Sequence, residues 1–308
     1  MIYNKYSKFL KDEFGEKVYK LPIKLKLTCP NRDGTCGLGG CIFCGEEGGS
    51  FENKEGSIKE QLIKNRELIS KKYKAKKFIA YFQNFTNTYL SFENFKKNIE
   101  DCLIDDIVGI SISTRPDCLP DKYLDYLEEI NKKVMVTLEL GLQTVNYHTL
   151  KKINRGHGLA EFIDAVIRSH KRNLRICAHV ILNLPWDNLD DNIETARILN
   201  ALEVEEVKIH ALYVLKNTRL GRMYNAKEFD IISLEEYKQR VIIFLQNLND
   251  DIVIQRLISR APEEDSLFCN WDRSWWKIRD DIEAIMKNNK LYQGQKVKGF
   301  DLLWLSTF

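Results

Sequence analysis

The chain has 308 residues, of which 44% are hydrophobic and 30% are charged, and its formal net charge is +3. This balance fits a globular protein with a substantial core, and it allows an anionic partner without requiring one. Residues 1–20 are too charged for a secretory signal, and no apolar run approaches the roughly 18 residues of a membrane span. We therefore expect a cytoplasmic protein that has no membrane partner.

Apolar, β-branched runs alternate with amphipathic helical patterns as far as residue 220. In chain order, the pattern predicts a strand at 23–27, a helix at 57–71, a strand at 78–82, a helix at 91–102, a strand at 107–113, a helix at 121–131, a strand at 134–140, a helix at 159–171, a strand at 176–182, a helix at 191–202 and a strand at 207–214. This alternation predicts the α/β class, with a parallel sheet that has helices outside it. Its regularity indicates a barrel or part of one.

The chain changes character after residue 220. A long helical pattern at 233–248 is followed by a predicted strand at 251–255 and by the aromatic cluster of Trp271, Trp275 and Trp276. We interpret residues 221–308 as an extension packed on the barrel and not as a second independent domain. Residues 1–220 then hold the partial barrel, an N-terminal segment and a cysteine-rich loop.

The cysteine-rich loop, CPNRDGTCGLGGCIFC, runs from Cys29 to Cys44 and contains four of the eight cysteines. Without a secretory signal, such a cluster more often binds metal or carries redox chemistry than forms disulfides. Three kinds of site fit the pattern: a zinc site with four thiolates, a dithiol redox pair, and an iron–sulfur cluster with three thiolates and one open iron. A non-catalytic zinc-binding scaffold is therefore one interpretation of this loop.

The position of this loop after the first strand, its closing CxxC and the following βα units resemble the radical S-adenosylmethionine (radical SAM) superfamily. The eleven residues between Cys29 and Cys41 resemble the branch that includes the Elongator catalytic subunit. Together with STRPD, ELGLQT and INRGH, the loop is most similar to the YhcC/YtqA group of that branch, over residues 15–300. The resemblance implies a partial (β/α)6 radical SAM barrel with a C-terminal extension. It also implies a [4Fe-4S] cluster held by Cys29, Cys41 and Cys44, with Cys36 outside the ligand set.

The resemblance further implies that the cluster passes one electron to SAM and that SAM is cleaved to a 5′-deoxyadenosyl radical. Gln143 and Arg155 are twelve residues apart, as are two SAM-contacting positions of the radical SAM coproporphyrinogen dehydrogenases. The cofactor-binding positions that we infer are Gln83, Asn87, Ser113, Glu139, Gln143, Arg155 and His179. Glu139 and His179 also have a structural interpretation, as a strand-end acid and a core histidine. No catalytic residue is identified.

Two loops depart from the superfamily pattern. In the loop after the fifth strand, the Leu-Pro pair is flanked by Asn183 and Trp186 where the superfamily usually has Gly. The second strand is followed by QNFTNTY, where the superfamily has Gly-Gly-Glu. The contact to the SAM amino group is therefore open among Gln83, Thr86, Asn87 and Thr88. Arg115 fits either a substrate contact or a framework role.

The YhcC/YtqA group resembles enzymes that act on the wobble uridine of tRNA, converting a 5-carboxymethylaminomethyl group to 5-aminomethyl. The resemblance implies tRNA and a reductase such as flavodoxin or ferredoxin as partners. Lys216 and Arg219 follow the sixth strand, on the side of the cofactor, where they could contact phosphates. Trp271 and Trp275 lie among basic residues, a pattern that suits either base stacking or packing of the extension. A small-molecule or polypeptide substrate is the alternative.

Overall fold

The computed structural model describes residues 2–46, 56–259 and 261–297. Its main feature is a curled sheet of seven parallel strands in the order β1-β2-β3-β4-β5-β6-β8. A separate antiparallel pair joins β7 to β9. The strands are β1 (Val18–Ile23), β2 (Lys77–Phe82), β3 (Ile107–Thr114), β4 (Met135–Gln143), β5 (Arg175–Ile181), β6 (Glu206–His210), β7 (Val214–Leu215), β8 (Val253–Arg256) and β9 (Ser266–Phe268).

Helices connect successive strands, and polar residues define where several of them begin. Ser57 forms a capping box with Glu60, because each side chain accepts a hydrogen bond from the other residue's backbone N–H. The helices are α1 (Tyr6–Phe14), α2 (Ile58–Tyr73), α3 (Phe92–Cys102), α4 (Asp121–Asn131), α5 (Tyr147–Lys152), α6 (Leu159–His170), α7 (Leu189–Ala201), α8 (Arg219–Asn225), α9 (Leu234–Asn247) and α10 (Trp275–Asn288). Among the described residues, none of the helices is both long and apolar enough to cross a membrane.

The predicted α/β partial barrel of parallel strands is confirmed, with two differences. The sheet has a seventh strand, because β8 of the C-terminal extension pairs in parallel with β6. The first predicted strand, at 23–27, is wrong in position, because β1 covers Val18–Ile23. Pro22 lies within β1, and a proline has no backbone N–H to donate to a neighbouring strand. The strand tolerates it because β1 is the edge of the sheet.

Two hydrophobic cores position the site. The larger one joins the strands to helices such as α4, α6 and α9. The smaller one contains Ile42 of the cysteine loop together with Ile153 and Leu220. The backbone N–H of Ile42 donates to the carbonyl of Ile153 at 3.0 Å, and that of Leu220 donates to the carbonyl of Ile42 at 2.8 Å. These contacts fix the CxxC segment between the loop after α5 and the start of α8.

Candidate active site

A cavity of about 540 Å³ opens where the parallel strands end. Its walls come from the C-terminal ends of β2 to β6 and of β8, which is where α/β barrels place their chemistry. Three of the four loop cysteines, Cys29, Cys41 and Cys44, line this cavity. Cys36 is exposed and does not belong to its lining.

Asn31 fixes the cysteine loop against the chain that follows α5. Its side-chain amide donates to the carbonyl of Asn154 at 2.7 Å and lies 3.8 Å from the sulfur of Cys41. A Cβ atom at Gly37 or Gly156 would lie only 2.1 or 2.4 Å from the Asn31 side-chain oxygen. The two glycines therefore allow Asn31 to reach both segments. The prediction missed this residue, although the Asn of CPNRDG was its signal.

Arg155 extends from the segment after Asn154 toward the cysteines. Its Nη1 lies 3.6 Å from the sulfur of Cys41, and its Nη2 donates to the carbonyl of Gly141 at 2.9 Å. Its Nε is buried and has no hydrogen-bond partner in the described part of the chain. A hydrogen bond from Cys44 and the charge of Arg155 lower the pKa of Cys41 to about 5, whereas the shared hydrogen bond raises the pKa of Cys44.

Gln143 is held at the cavity by an irregular end of β4. The pairing of β4 with β5 shifts register between Gly141 and Gln143, and Gln143 has a φ of 74°, in the left-handed region. A Cβ on Gly141 would lie 2.4 Å from Arg155 Nη2 and 2.7 Å from Gln143 Nε2. The strand end thus places both polar side chains above a glycine, facing the cavity.

The inner wall of the cavity carries a buried cluster centred on Glu139. The carboxylate of Glu139 accepts hydrogen bonds from Lys20 and Lys208, the latter at 2.8 Å, and lies 2.8 Å from His179 Nε2. Lys208 Nζ also donates to the hydroxyl of Tyr81 at 2.8 Å. Burial alone would raise the pKa of Glu139, but Lys20, Lys208 and His179 hold it well below its usual range. Burial and the charge of Lys208 lower the pKa of His179 to about 4.

Arg256, at the end of β8, extends this wall. One of its terminal nitrogens lies 2.8 Å from His210 Nδ1, while its Nε is buried without a partner among the described residues. Burial and the adjacent Arg256 charge lower the pKa of His210 well below its usual range, so this imidazole is neutral. Lys208 and Arg256 were both missed, although charged residues within apolar strand patterns were a signal for them.

Comparison with known proteins identifies the family. The model of the radical SAM superfamily matches residues 33–199, more than half of the chain, and the model of the Radical_SAM C-terminal domain matches residues 204–288. The chain belongs to the radical SAM superfamily. Membership in this superfamily supports an enzyme and implies SAM and an iron–sulfur cluster as cofactors. The predicted resemblance to the YhcC/YtqA group and its Elp3-like branch is confirmed.

Two relatives and one solved structure align with most of this chain. YtqA of Bacillus subtilis is 38% identical over 95% of this chain and 92% of its own length. YhcC of Escherichia coli is 32% identical over 89% of this chain and 88% of its own. The structure of Methanocaldococcus infernus Elp3 has a TM-score of 0.68 at 16% identity, covering 90% of this chain and 64% of the Elp3 chain.

More distant relatives carry names that refer to tRNA. A tRNA uridine(34) acetyltransferase of Methanocaldococcus infernus is 26% identical over 42% of this chain and 24% of its own length. A tRNA-2-methylthio-N(6)-dimethylallyladenosine synthase of Fusobacterium nucleatum is 24% identical over 55% of this chain and 40% of its own. The chain therefore spans less than half of these two relatives.

The cavity residues fit both radical SAM cofactors. Thiolates are the donors that iron–sulfur clusters use, and three cysteines line one wall. Arg155 Nε and Thr86 Oγ1 are buried polar atoms that lack a partner among the described residues, as expected of groups that contact a bound ligand. Arg115 also lines the cavity, and its Nη1 donates to the carbonyl of Arg155 at 2.9 Å, so both interpretations of Arg115 remain open.

The predicted cofactor positions converge on the cavity, with one exception. Its lining includes Gln83, Ser113, Glu139, Gln143, Arg155 and His179. Asn87 is not part of the lining, and its buried amide donates to the carbonyls of Phe82, Asn84 and Ser113. Of the four residues considered for the SAM amino group, Gln83 and Thr86 line the cavity.

The four predicted substrate residues lie outside the cavity lining. Lys216 is exposed and donates to the carbonyl of Glu264 at 2.6 Å, and Arg219 is exposed at the start of α8. Trp271 donates from its indole N–H to the carbonyl of Ile232 at 2.8 Å and packs against the main core, in agreement with the packing interpretation. Trp275 is partly exposed on α10.

Proposed function

We propose that this radical SAM enzyme holds a [4Fe-4S] cluster on Cys29, Cys41 and Cys44 and modifies the wobble uridine of tRNA. The observation that carries the cofactor part is that these three cysteines and Arg155 face one cavity. Because Cys36 is exposed and is not part of the cavity lining, it is not a ligand in the proposed site. A three-cysteine set leaves one iron available to a further ligand.

The side chains around the cysteines are suited to SAM. When bound, the cluster and SAM would supply the one-electron cleavage that gives a 5′-deoxyadenosyl radical. Arg155 offers a guanidinium that can orient a carboxylate through two parallel hydrogen bonds. Gln143, Thr86 and Gln83 line the same cavity and offer further polar contacts for SAM.

The tRNA part rests on the relatives and on surface charge. Two relatives bear names that refer to tRNA modification, one of them at uridine 34. Lys216, Arg219 and Arg222 are exposed between β7 and the end of α8, beside the segment that contacts the CxxC backbone. Phosphate contacts by such cations supply most of the sequence-independent affinity for nucleic acid.

The proposed substrate carries a carboxymethylaminomethyl group on C5 of uridine. Its glycine-derived CH₂ lies between nitrogen and carboxylate, which weakens the C–H bond and delocalises the radical formed by hydrogen-atom removal. Loss of a second electron to a one-electron acceptor, together with a proton, gives an imine. Water then cleaves the imine into the 5-aminomethyl nucleoside and glyoxylate, which balances the atoms.

The test uses cluster-loaded enzyme that is reduced by flavodoxin or ferredoxin, with SAM and tRNA carrying the carboxymethylaminomethyl base. Mass spectrometry of the digested tRNA should show the 5-aminomethyl nucleoside, with 5′-deoxyadenosine and glyoxylate in equal amounts. The matched control is tRNA that carries unmodified uridine at the same position. Equal 5′-deoxyadenosine with both tRNAs, and no changed nucleoside, would favour a small-molecule or polypeptide substrate.

A further inference from the structure

Arg256 is a charged side chain of the cavity wall that has no ionic partner within residues 2–46, 56–259 and 261–297. It lines the cavity beside Lys208, and its hydrogen bonds within these residues go to the His210 ring, at 2.8 and 3.1 Å. Its Nε is buried without a partner within the described residues. A guanidinium donor that is buried and unused is costly unless an anion completes it.

The neighbouring charges do not supply that anion. Glu139 is the acidic residue of the cavity lining, and it is already bound by Lys20, Lys208 and His179. Lys20, Lys208 and Arg256 together outnumber this single carboxylate, so the wall carries a surplus of positive charge. His210 is neutral and accepts a hydrogen bond from one terminal nitrogen of the guanidinium, which makes it a positioning residue.

A metal ion is a poorer occupant of this wall than an anion. Glu139, Cys177 and His179 have ligand atoms within 4.8 Å of one another, the arrangement of a possible metal site. Lys20 and Lys208 contact the same carboxylate, however, and a divalent cation would be repelled by both ammonium groups. The ammonium groups of Lys20 and Lys208 thus favour an anionic ligand over a metal ion at this wall.

We propose that Arg256 binds the carboxylate of the substrate, with His210 positioning its guanidinium. This inference rests on the proposed function, in which the modified base carries a carboxylate beside the reacting CH₂. The planar, delocalised guanidinium matches the two oxygens of a carboxylate. Among the described residues, four arginines line the cavity, but Arg115 is paired with Asp117 and Arg32 donates to the carbonyls of Gly45 and Glu46. Arg155, next to Cys41, is then the candidate for SAM, and Arg256, next to His210, is the candidate for the substrate.

The experiment measures binding without turnover. Unreduced, cluster-loaded enzyme with SAM is titrated with 5-carboxymethylaminomethyluridine and with 5-methylaminomethyluridine, which lacks the carboxylate. The wild-type protein should bind the first at least about 10-fold more tightly than the second. Arg256→Gln should bring this ratio close to one, and Arg256→Lys should restore part of it. Arg197→Gln, on the exposed face of α7, is the matched control and should keep the wild-type ratio.

Three outcomes decide the inference. A folded Arg256→Gln protein that keeps the wild-type preference would overturn it. Weaker binding of SAM in Arg256→Gln, with the nucleoside preference intact, would assign the anion to the SAM carboxylate and also overturn it. Unchanged SAM affinity with lost preference would support it.

Failure of the proposed function has a different signature. If the tRNA substrate is wrong, neither nucleoside binds. The probe is then N-methylglycine, which carries the same amine, CH₂ and carboxylate without a nucleoside. Binding of N-methylglycine that is lost in Arg256→Gln and kept in Arg197→Gln supports the carboxylate site without the tRNA substrate. Binding that does not depend on Arg256, or no binding at all, rejects the site.

Discussion

The guanidinium of Arg155 lies 3.6 Å from the sulfur of Cys41, across a sequence separation of 114 residues. The contact joins the cysteine loop after β1 to the segment after β4, so that the candidate cluster ligand and the candidate SAM contact share one wall. A cation beside a thiol also favours the thiolate that metal binding requires.

Arg155→Ala and Gln143→Ala should each weaken SAM binding by about 10- to 100-fold, the cost of losing a charge-assisted contact. We expect the cluster to stay in place, because Cys29, Cys41 and Cys44 are unchanged. Equilibrium SAM binding and iron content, measured on the same samples, check both statements. SAM affinity equal to wild type in both variants would place the cofactor elsewhere.

Gly141→Ala should reduce SAM affinity without removing any polar group. The new Cβ would lie 2.4 Å from Arg155 Nη2 and 2.7 Å from Gln143 Nε2, so both side chains must move. Both contacted atoms are the ends of flexible side chains, so the substitution should displace them from the cavity with little cost to the folding free energy. Gly158→Ala is the matched control, since its Cβ would meet Glu161 at an ordinary 3.4 Å. Equal SAM affinity in the two variants would show that the placement of these side chains is unimportant.

Substitution of the loop cysteines separates the interpretations of the loop. Iron binding and the absorbance at about 400 nm should both be lost in Cys29→Ala, Cys41→Ala and Cys44→Ala. Both should be retained in Cys36→Ala. Metal analysis of anaerobically purified protein is the measurement. Zinc in place of iron would support the scaffold interpretation, and complete loss of iron from Cys36→Ala would contradict the assignment of ligands.

Strand periodicity was enough to predict the sheet, because each buried strand is an apolar run of its own. Pattern alone could not place β1, because a proline argues against a strand in the middle of a sheet. Pro22 is acceptable here because β1 is an edge strand. Nor could the pattern show that β8 joins the same sheet as β6, which is a long-range pairing across more than forty residues of chain.

The candidate site was predictable where a motif marks it and not where the fold assembles it. The cysteines and Arg155 lie in short recognisable segments, whereas Lys208 and Arg256 come from separate strands. The two are paired in register across β6 and β8. Asn87 looked equivalent to Thr86 in the loop after β2, but its amide is used to hold that loop to β3.

Acid should destabilise the fold partly through His179. Burial lowers its pKa to about 4 in the folded protein, against about 6.5 in an unfolded chain. The unfolded state therefore takes up the proton first, and the stability that His179 contributes is lost as pH falls from about 6.5 toward 4. Chemical denaturation of the cluster-free protein should show wild type losing about 2 kcal/mol more than His179→Gln between pH 7 and 5. An equal loss in both proteins would indicate that His179 titrates normally.

Binding of tRNA should depend on the cations beside the cavity and not on those at the opposite end of the barrel. Lys216 and Arg219 are exposed, and the backbone N–H of Leu220, next to Arg219, donates to the carbonyl of Ile42 in the CxxC segment. Lys74 and Lys76 are exposed before β2, at the other end of the strands. Each phosphate contact removed should lower the slope of log affinity against log salt by about 0.7–0.9.

We therefore expect Lys216→Ala and Arg219→Ala to weaken tRNA binding and to reduce its salt dependence, with SAM affinity unchanged. Lys74→Ala and Lys76→Ala are charge-matched controls and should change neither quantity. Filter binding or fluorescence anisotropy across a salt series provides the measurement. If both pairs of variants weaken tRNA binding equally, the interaction is with overall charge, and the active face has no special role in holding the RNA.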